Sequence, residues 1–326
     1  MIAFESTTKE WIETVAKLHK ADKILIEKTI RALMLLEGLT ESGLNFIFKG
    51  GTALMLLFNS GKRLSIDIDI VVSEKEKDIA DSLKRICIGK GFTNVEKQER
   101  IAETKINKEH YKCRFVSAIN HQESHILLDV LKDNAHYQNI IELPIIGFFV
   151  RQEKEPVMVR LPDFNNILGD KLTAFAPNTT GIPYRKGNKE MGMEIIKQMY
   201  DIGCLFDKAN NLEIVSAVFS AFSKAELMKR ETNSNEENVL DDIIETSLSI
   251  CLRQNLGKAD FNILNKGIIQ VKPFIFSEIF HLEKAITHAA KTAYIASAIK
   301  YQKKQLMRFT QGIEMNNWII ATPMNT

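Results

Sequence analysis

Apolar residues recur at helical spacing from the start of the chain: Trp11, Ile12, Val15 and Leu18, then Ile24, Ile26, Ile30, Leu33 and Leu36. Steps of three and four put them on one face of a helix. The pattern predicts helix over residues 7–38, broken near Lys20-Ala21-Asp22, with Asp22 as the cap of the second helix. Short β-rich runs follow at 46–48, 64–72, 92–97, 111–117, 125–131 and 158–161, with helices at 52–58 and 74–90 between them. After Pro162 the periodicity is almost wholly helical, at 164–175, 190–206, 212–228, 236–253 and 276–307. This order predicts an α+β chain: a small mixed β-sheet domain flanked by helices, residues 1–161, then a mostly helical domain, residues 162–326.

Composition adds bounds rather than chemistry. Lys and Arg number 43 against 41 Asp and Glu, so bulk charge points to no nucleic-acid partner, and any basic surface must be local. Cys87, Cys113, Cys204 and Cys251 are scattered, with no Cys-x-x-Cys pair, which argues against a zinc site or a disulfide framework. Buried thiols in a reducing compartment are expected. The N-terminus lacks the charged start and apolar run of a signal peptide, and no stretch is long enough to span a bilayer. A cytoplasmic protein with no membrane partner is the expectation.

The run Ile66 to Val72 breaks its own logic. Asp67 and Asp69 stand one residue apart in a strand otherwise made of Ile and Val. Residues i and i+2 share a face, so the two carboxylates project together and repel. A divalent cation relieves that repulsion, and Mg2+ (or Mn2+) favours a few carboxylates plus phosphate oxygens. Upstream, Gly50 and Gly51 open a predicted helix, where backbone N–H groups can approach phosphate, with Thr52 adding an N–H or hydroxyl. Arg63 can act as a fixed cation for phosphate, and Ser65 shares the face of the two acids. Asp129, an acid inside the apolar run Ile126 to Leu131, is the candidate third metal ligand. Together these parts describe a metal-dependent transfer from an NTP. His121, His125 and His136 show no ligand spacing.

Lys49-Gly50-Gly51-Thr52-Ala53-Leu54, a short helix, then Arg63-x-Ser65-x-Asp67-x-Asp69 resembles the first motif of the AbiEii/AbiGii-type nucleotidyltransferase toxins, within the polymerase-beta-like superfamily. Gly169-Asp170-Lys171-Leu172 and Lys197-Gln198-Met199-Tyr200-Asp201-Ile202 resemble the later motifs in the family's order. The resemblance runs over about 45–205. It implies catalytic roles for Asp67, Asp69, Lys171 and Asp201, with Lys171 neutralising charge on the phosphates and Asp201 contacting a metal or orienting Lys171. It also implies NMP transfer to an acceptor hydroxyl with release of pyrophosphate, an RNA acceptor such as a tRNA end, and a cognate antitoxin. A protein hydroxyl, as in AMP-transferring relatives, or a non-catalytic nucleotide- or partner-binding protein, are the alternatives. The basic loop from Gly181 to Lys189 lies between Lys171 and Asp201 in sequence, and is expected to be flexible. Tyr184 would stack on a base there, and Arg185, Lys186 and Lys189 would hold acceptor phosphate. A second basic run, Lys300 to Arg308, reads as the solvated face of a terminal helix.

Overall fold

Asp22 makes the first break. In the computed structural model, which describes residues 1–59, 61–75, 79–98, 108–308, 310 and 312, α1 (Lys9–His19) and α2 (Lys23–Glu41) are separated there. Lys20 takes a left-handed conformation, and the Asp22 carboxylate accepts from the Ile24 and Leu25 N–H groups. The chain then forms β1 (Phe46–Lys49), α3 (Gly50–Phe58), β2 (Ile68–Val72), α4 (Ala80–Gly89), β3 (Asn94–Gln98), β4 (Lys108–Val116) and β5 (Glu123–Lys132). Of the helix predicted over 74–90, residues 76–78 lie outside those described.

The five strands form one mixed sheet in the order β1-β2-β5-β4-β3. β2 runs parallel to β5, and the remaining pairs are antiparallel. Alternation decides the faces. Phe46, Phe48, Ile68, Ile70, Tyr111, Cys113, Phe115, Ile126, Leu128 and Val130 are buried on one side with Ile26, Ile30 and Leu33 of α2. The other side carries Asp69, Lys108, His110, Lys112 and Asp129. β6 (Ile140–Pro144) and β7 (Met158–Pro162) make a separate antiparallel pair. β6 escapes the pattern because its sequence is short and ends in proline.

The chain divides into two compact units, Met1–Ile167 with Val271–Phe280, and Leu168–Gln270 with His281–Thr326. The return of Val271–Phe280 to the first unit is not visible as a cut at Pro162. The second unit holds most of α5 (Phe164–Ala174), then β8 (Arg185–Lys186), β9 (Lys189–Glu190), α6 (Gly192–Phe206), α7 (Leu212–Lys229), α8 (Glu236–Leu252), α9 (Phe261–Gln270) and α10 (Leu282–Lys300). Its helices meet closely at glycines. A Cβ on Gly169 would lie 2.8 Å from the Val215 carbonyl oxygen, and one on Gly192 2.2 Å from that of Ile263. Cys87, Cys113 and Cys204 are buried, and all four cysteines are free thiols. No helix among the described residues is long and apolar enough to cross a membrane.

Candidate active site

β1 passes into α3 with no intervening loop, so Gly50 and Gly51 form the first turn of the helix directly at the sheet. Gly50 adopts φ +80°, where a side chain is strained. A Cβ there would also lie 2.2 Å from Asp69 Oδ2. A Cβ on Gly51 would fall 2.6 Å from Arg63 Nη2 and 2.7 Å from Ser65 Oγ. The glycine pair therefore lets the helix start press against Asp69, Arg63 and Ser65 together. No side chain of the preceding residue caps this helix, and an anion at the first turn would find N–H donors and the positive end of the dipole.

Asp69 lies within β2, whereas Asp67 immediately precedes that strand and is exposed. Strand pairing begins only at Ile68, later than the predicted 64–72, because β1 ends at Lys49, opposite Asp69. Asp67 is fixed another way: the buried Thr52 hydroxyl donates to its carbonyl oxygen at 2.6 Å. That hydroxyl holds the backbone at the entry to β2, a partner the sequence does not reveal. Arg63 is buried, and its Nη1 donates to the Leu64 carbonyl at 3.1 Å. Distant segments anchor the surrounding turn. Leu64 N donates to Phe274 O at 2.7 Å, Ser277 Oγ to Lys62 O at 2.8 Å, and Thr29 Oγ1 to Ser65 O at 3.2 Å.

Asp129 on β5 stands directly beside Asp69 in the parallel register. Its carboxylate is held from β4: His110 Nδ1 lies 2.6 Å from Oδ1, and Lys108 Nζ 2.6 Å from Oδ2. Burial works to raise the Asp129 pKa, but the Lys108 ammonium and the His110 contact outweigh it and hold the carboxyl below its usual range. Lys108 and His110 went unnoticed in the sequence. The available signal was their i, i+2 spacing on the strand that pairs with the acid-bearing one. Among the described residues, no three His, Cys, Asp or Glu side chains are gathered as a ready-made ion cage. What Asp67 and Asp69 offer a metal is two hard oxygen donors on neighbouring positions, with Gly50 leaving space against Asp69. That donor set fits Mg2+ or Mn2+.

In the second unit, Lys171 on α5 and Asp201 on α6 form a buried pair, Nζ to Oδ2 2.9 Å, with side-chain exposures of 9% and 3%. Gln198, one helical turn before Asp201, accepts from Lys171 Nζ at 2.8 Å. The basic segment after Gly181 is not a flexible loop but the β8–β9 hairpin, turned at Gly187 with φ +56°. Two of its cations have partners: Arg185 with Glu190 at 3.5 Å and Lys189 with Glu194 at 3.4 Å. Tyr184 is half-buried, its hydroxyl 3.4 Å from Thr246 Oγ1, and burial pushes its pKa up to about 12. A ring held this way is less available for base stacking than the sequence suggested.

A family model described as "Nucleotidyl transferase AbiEii toxin, Type IV TA system" matches residues 35–263, more than half of the chain. Among solved structures, the MenT4 nucleotidyltransferase toxin of Mycobacterium tuberculosis is similar at 11% identity and TM-score 0.49, covering 89% of this chain and 98% of its own. JHP933 of Helicobacter pylori is similar at 13% identity and TM-score 0.48, covering 86% of this chain and 94% of its own. No curated protein matches. The family match spans the glycine turn, the paired aspartates, Asp129, Lys171 and Asp201, and this chain belongs to the AbiEii family of nucleotidyltransferase toxins.

Proposed function

We propose that this nucleotidyltransferase is metal-dependent and moves a nucleoside monophosphate from an NTP to the hydroxyl of an RNA acceptor, such as a tRNA end, releasing pyrophosphate. The observation that carries the reading is the convergence of Asp69, Arg63 and Ser65 on the Gly50–Gly51 helix start. Asp67 and Asp69 would hold Mg2+ or Mn2+, with Asp129 as the third acid. When bound, such an ion acts as a Lewis acid on phosphoryl oxygen and lowers the pKa of an attacking hydroxyl.

The residues of the chain do the rest. Backbone N–H groups at Gly50 and Gly51 bind the triphosphate, assisted by Arg63 and Ser65. Thr52 keeps Asp67 in line through its carbonyl. Lys171 offsets negative charge that builds on the phosphates, and Asp201 and Gln198 hold its ammonium in one place. Arg185, Lys186 and Lys189 on the hairpin hold acceptor phosphate. Membership of a type IV toxin–antitoxin family implies a cognate antitoxin as partner.

Incubating the full chain with each labelled NTP, Mg2+ and total RNA tests this reading. RNA should become labelled, and pyrophosphate should appear in equal amount. Label confined to protein would replace RNA with a protein hydroxyl as acceptor. Labelling that survives exhaustive EDTA would overturn the metal requirement.

A further inference from the structure

We propose that Lys28, Lys112 and His125 form an anion seat in the first unit, which holds a backbone phosphate of the acceptor RNA beside the acids of the site. The inference rests on the nucleotidyl-transfer reading above. It deepens that reading by naming acceptor contacts on the sheet itself, in addition to the hairpin cations.

Strand register brings these groups together. Lys112 on β4 and His125 on β5 share the polar face that carries His110 and Asp129. Lys112 stands opposite Leu127, which makes it diagonal to Asp129 on one side and to His125 on the other. Diagonal neighbours on one sheet face lie about 7–8 Å apart, within reach of a lysine. Lys28 comes from α2 at the end of the sheet. The Glu27 carboxylate accepts from Ser117 Oγ at 2.6 Å and Ala118 N at 2.7 Å, just past β4. The Thr29 hydroxyl donates to Ser65 O, ahead of β2. The backbone at Lys28 is therefore fixed between the β4–β5 turn and the approach to Asp67.

The cations there lack partners of their own. Both oxygens of Glu96 are taken up by Arg114, at 2.6 and 2.9 Å, and Glu123 also pairs with Arg114. Lys28 and Lys112 are half-buried, and neither makes an ion pair among the described residues. His125 registers the resulting field. Burial, then the charges of Lys28, Lys112 and Arg114, push its imidazole below the usual range against the opposing pull of Glu123. A neutral imidazole keeps one N–H to donate to a phosphate oxygen. The side of the site on which the seat lies points to the occupant. Across the sheet, the glycine turn follows β1, Asp69 lies on β2, Asp129 on β5 and Lys112 on β4. The acids thus separate the triphosphate cradle from the seat. In phosphoryl transfer the attacking and leaving oxygens are roughly in line. Pyrophosphate leaving toward Gly50 and Gly51 calls for an acceptor hydroxyl arriving from the β4–β5 side, where Lys112 and Lys28 meet the adjoining backbone phosphate.

Anisotropy of a short fluorescein-labelled single-stranded RNA, titrated with the full chain from about 50 to about 200 mM salt, reads acceptor binding without turnover. Lys28→Gln combined with Lys112→Gln should weaken RNA binding on the order of tenfold at the lower salt. The slope of log affinity against log salt should become shallower by about 0.7 for each lysine removed. Calorimetric titration with each NTP should match the parent. Lys112→Arg keeps the charge and should keep the parental slope. Should the double variant fail to fold, Lys112→Gln alone should still lose about 0.7 of the slope. Parental RNA affinity and slope in the folded glutamine variants would overturn the proposal. So would weakened NTP binding with RNA binding intact, which would give the seat to the triphosphate, and so would a parent that binds no RNA and labels only protein. These results leave nucleotidyl transfer itself standing, whereas a parent that binds no NTP and transfers no label would remove that reading and this inference with it.

Discussion

At position 50, backbone and chemistry make the same demand. Gly50 needs a positive φ and has Asp69 Oδ2 2.2 Å from where a Cβ would sit. Gly50→Ala should cost about 1–2 kcal/mol from the left-handed backbone alone. It should also displace the Asp69 carboxylate, so the loss of transfer should exceed the loss of stability. Comparing thermal melting with nucleotide transfer checks this; a variant with parental activity would disconnect Gly50 from the site. Asp67→Asn and Asp69→Asn should abolish transfer with melting unchanged or slightly raised, since each removes one of two adjacent like charges. Turnover close to the parent in either variant would refute the assignment. The glycine pair and the aspartates were legible because a strand of isoleucines has no local use for carboxylates. The part played by Thr52 was not, because a hydroxyl that faces a backbone carbonyl looks in sequence like one that faces a ligand. Lys108 and His110 were hard to read for a similar reason: their i, i+2 spacing is normal on a half-buried strand, and the register is what shows that they meet Asp129.

Among the elements, α5 and α6 are tied by the Lys171–Asp201 pair. Removing one member of a buried pair leaves the other in a poor environment, and Lys171→Ala should destabilise the second unit by about 3 kcal/mol. Its rate of transfer, corrected for folded fraction, should fall on the order of a hundredfold while NTP binding weakens less. Parental melting would show the pair to be structurally idle; an equal loss in binding and rate would move Lys171 to ground-state contact. The β3–β4–β5 side of the sheet gives a pH test. Glu109 accepts from Tyr111 Oη at 2.8 Å and pairs with Lys97 at 2.8 Å and Lys132 at 3.3 Å. Burial acts to raise its pKa, but these partners prevail and hold the carboxyl below its ordinary value. A depressed folded pKa contributes stability above the unfolded pKa near 4.3, and that contribution is lost as pH falls through the folded value. Between about pH 5 and pH 3 the parent should lose more stability than Glu109→Gln; parallel acid limbs would refute this. Element boundaries were legible where capping chemistry was local, as at Asp22. They were illegible where tertiary contact decided them. Helix was expected over 276–307, yet α10 begins at Leu282. Phe276 instead joins Phe148 and Phe149, with ring centroids 6.0 Å and 5.6 Å away.

Across the whole chain, the mixed sheet and the helical second half follow from periodicity, while the return of Val271–Phe280 to the first unit does not. Nothing in that short segment announces that Phe274 and Ser277 will hold Leu64 and Lys62. A similar long-range tie exists in the second unit. The Arg230 guanidinium, just past α7, donates to the carbonyls of Thr179, Thr180 and Gly181. Asp242 on α8 accepts from Asn178 N at 2.8 Å and Thr179 Oγ1 at 2.9 Å. The connection leading into the hairpin is thus latched by two helices that follow it in the chain. Arg230→Met should leave three carbonyls without that donor and open the Arg185–Lys189 bonds to trypsin early in a limited digest, while the parent is cut there late. Identical digestion patterns would show that Asp242 suffices as the latch. The order of the hairpin then belongs to α7 and α8 as much as to its own sequence, and a ligand gripping those helices would register in the cleavage clock of a loop it never touches.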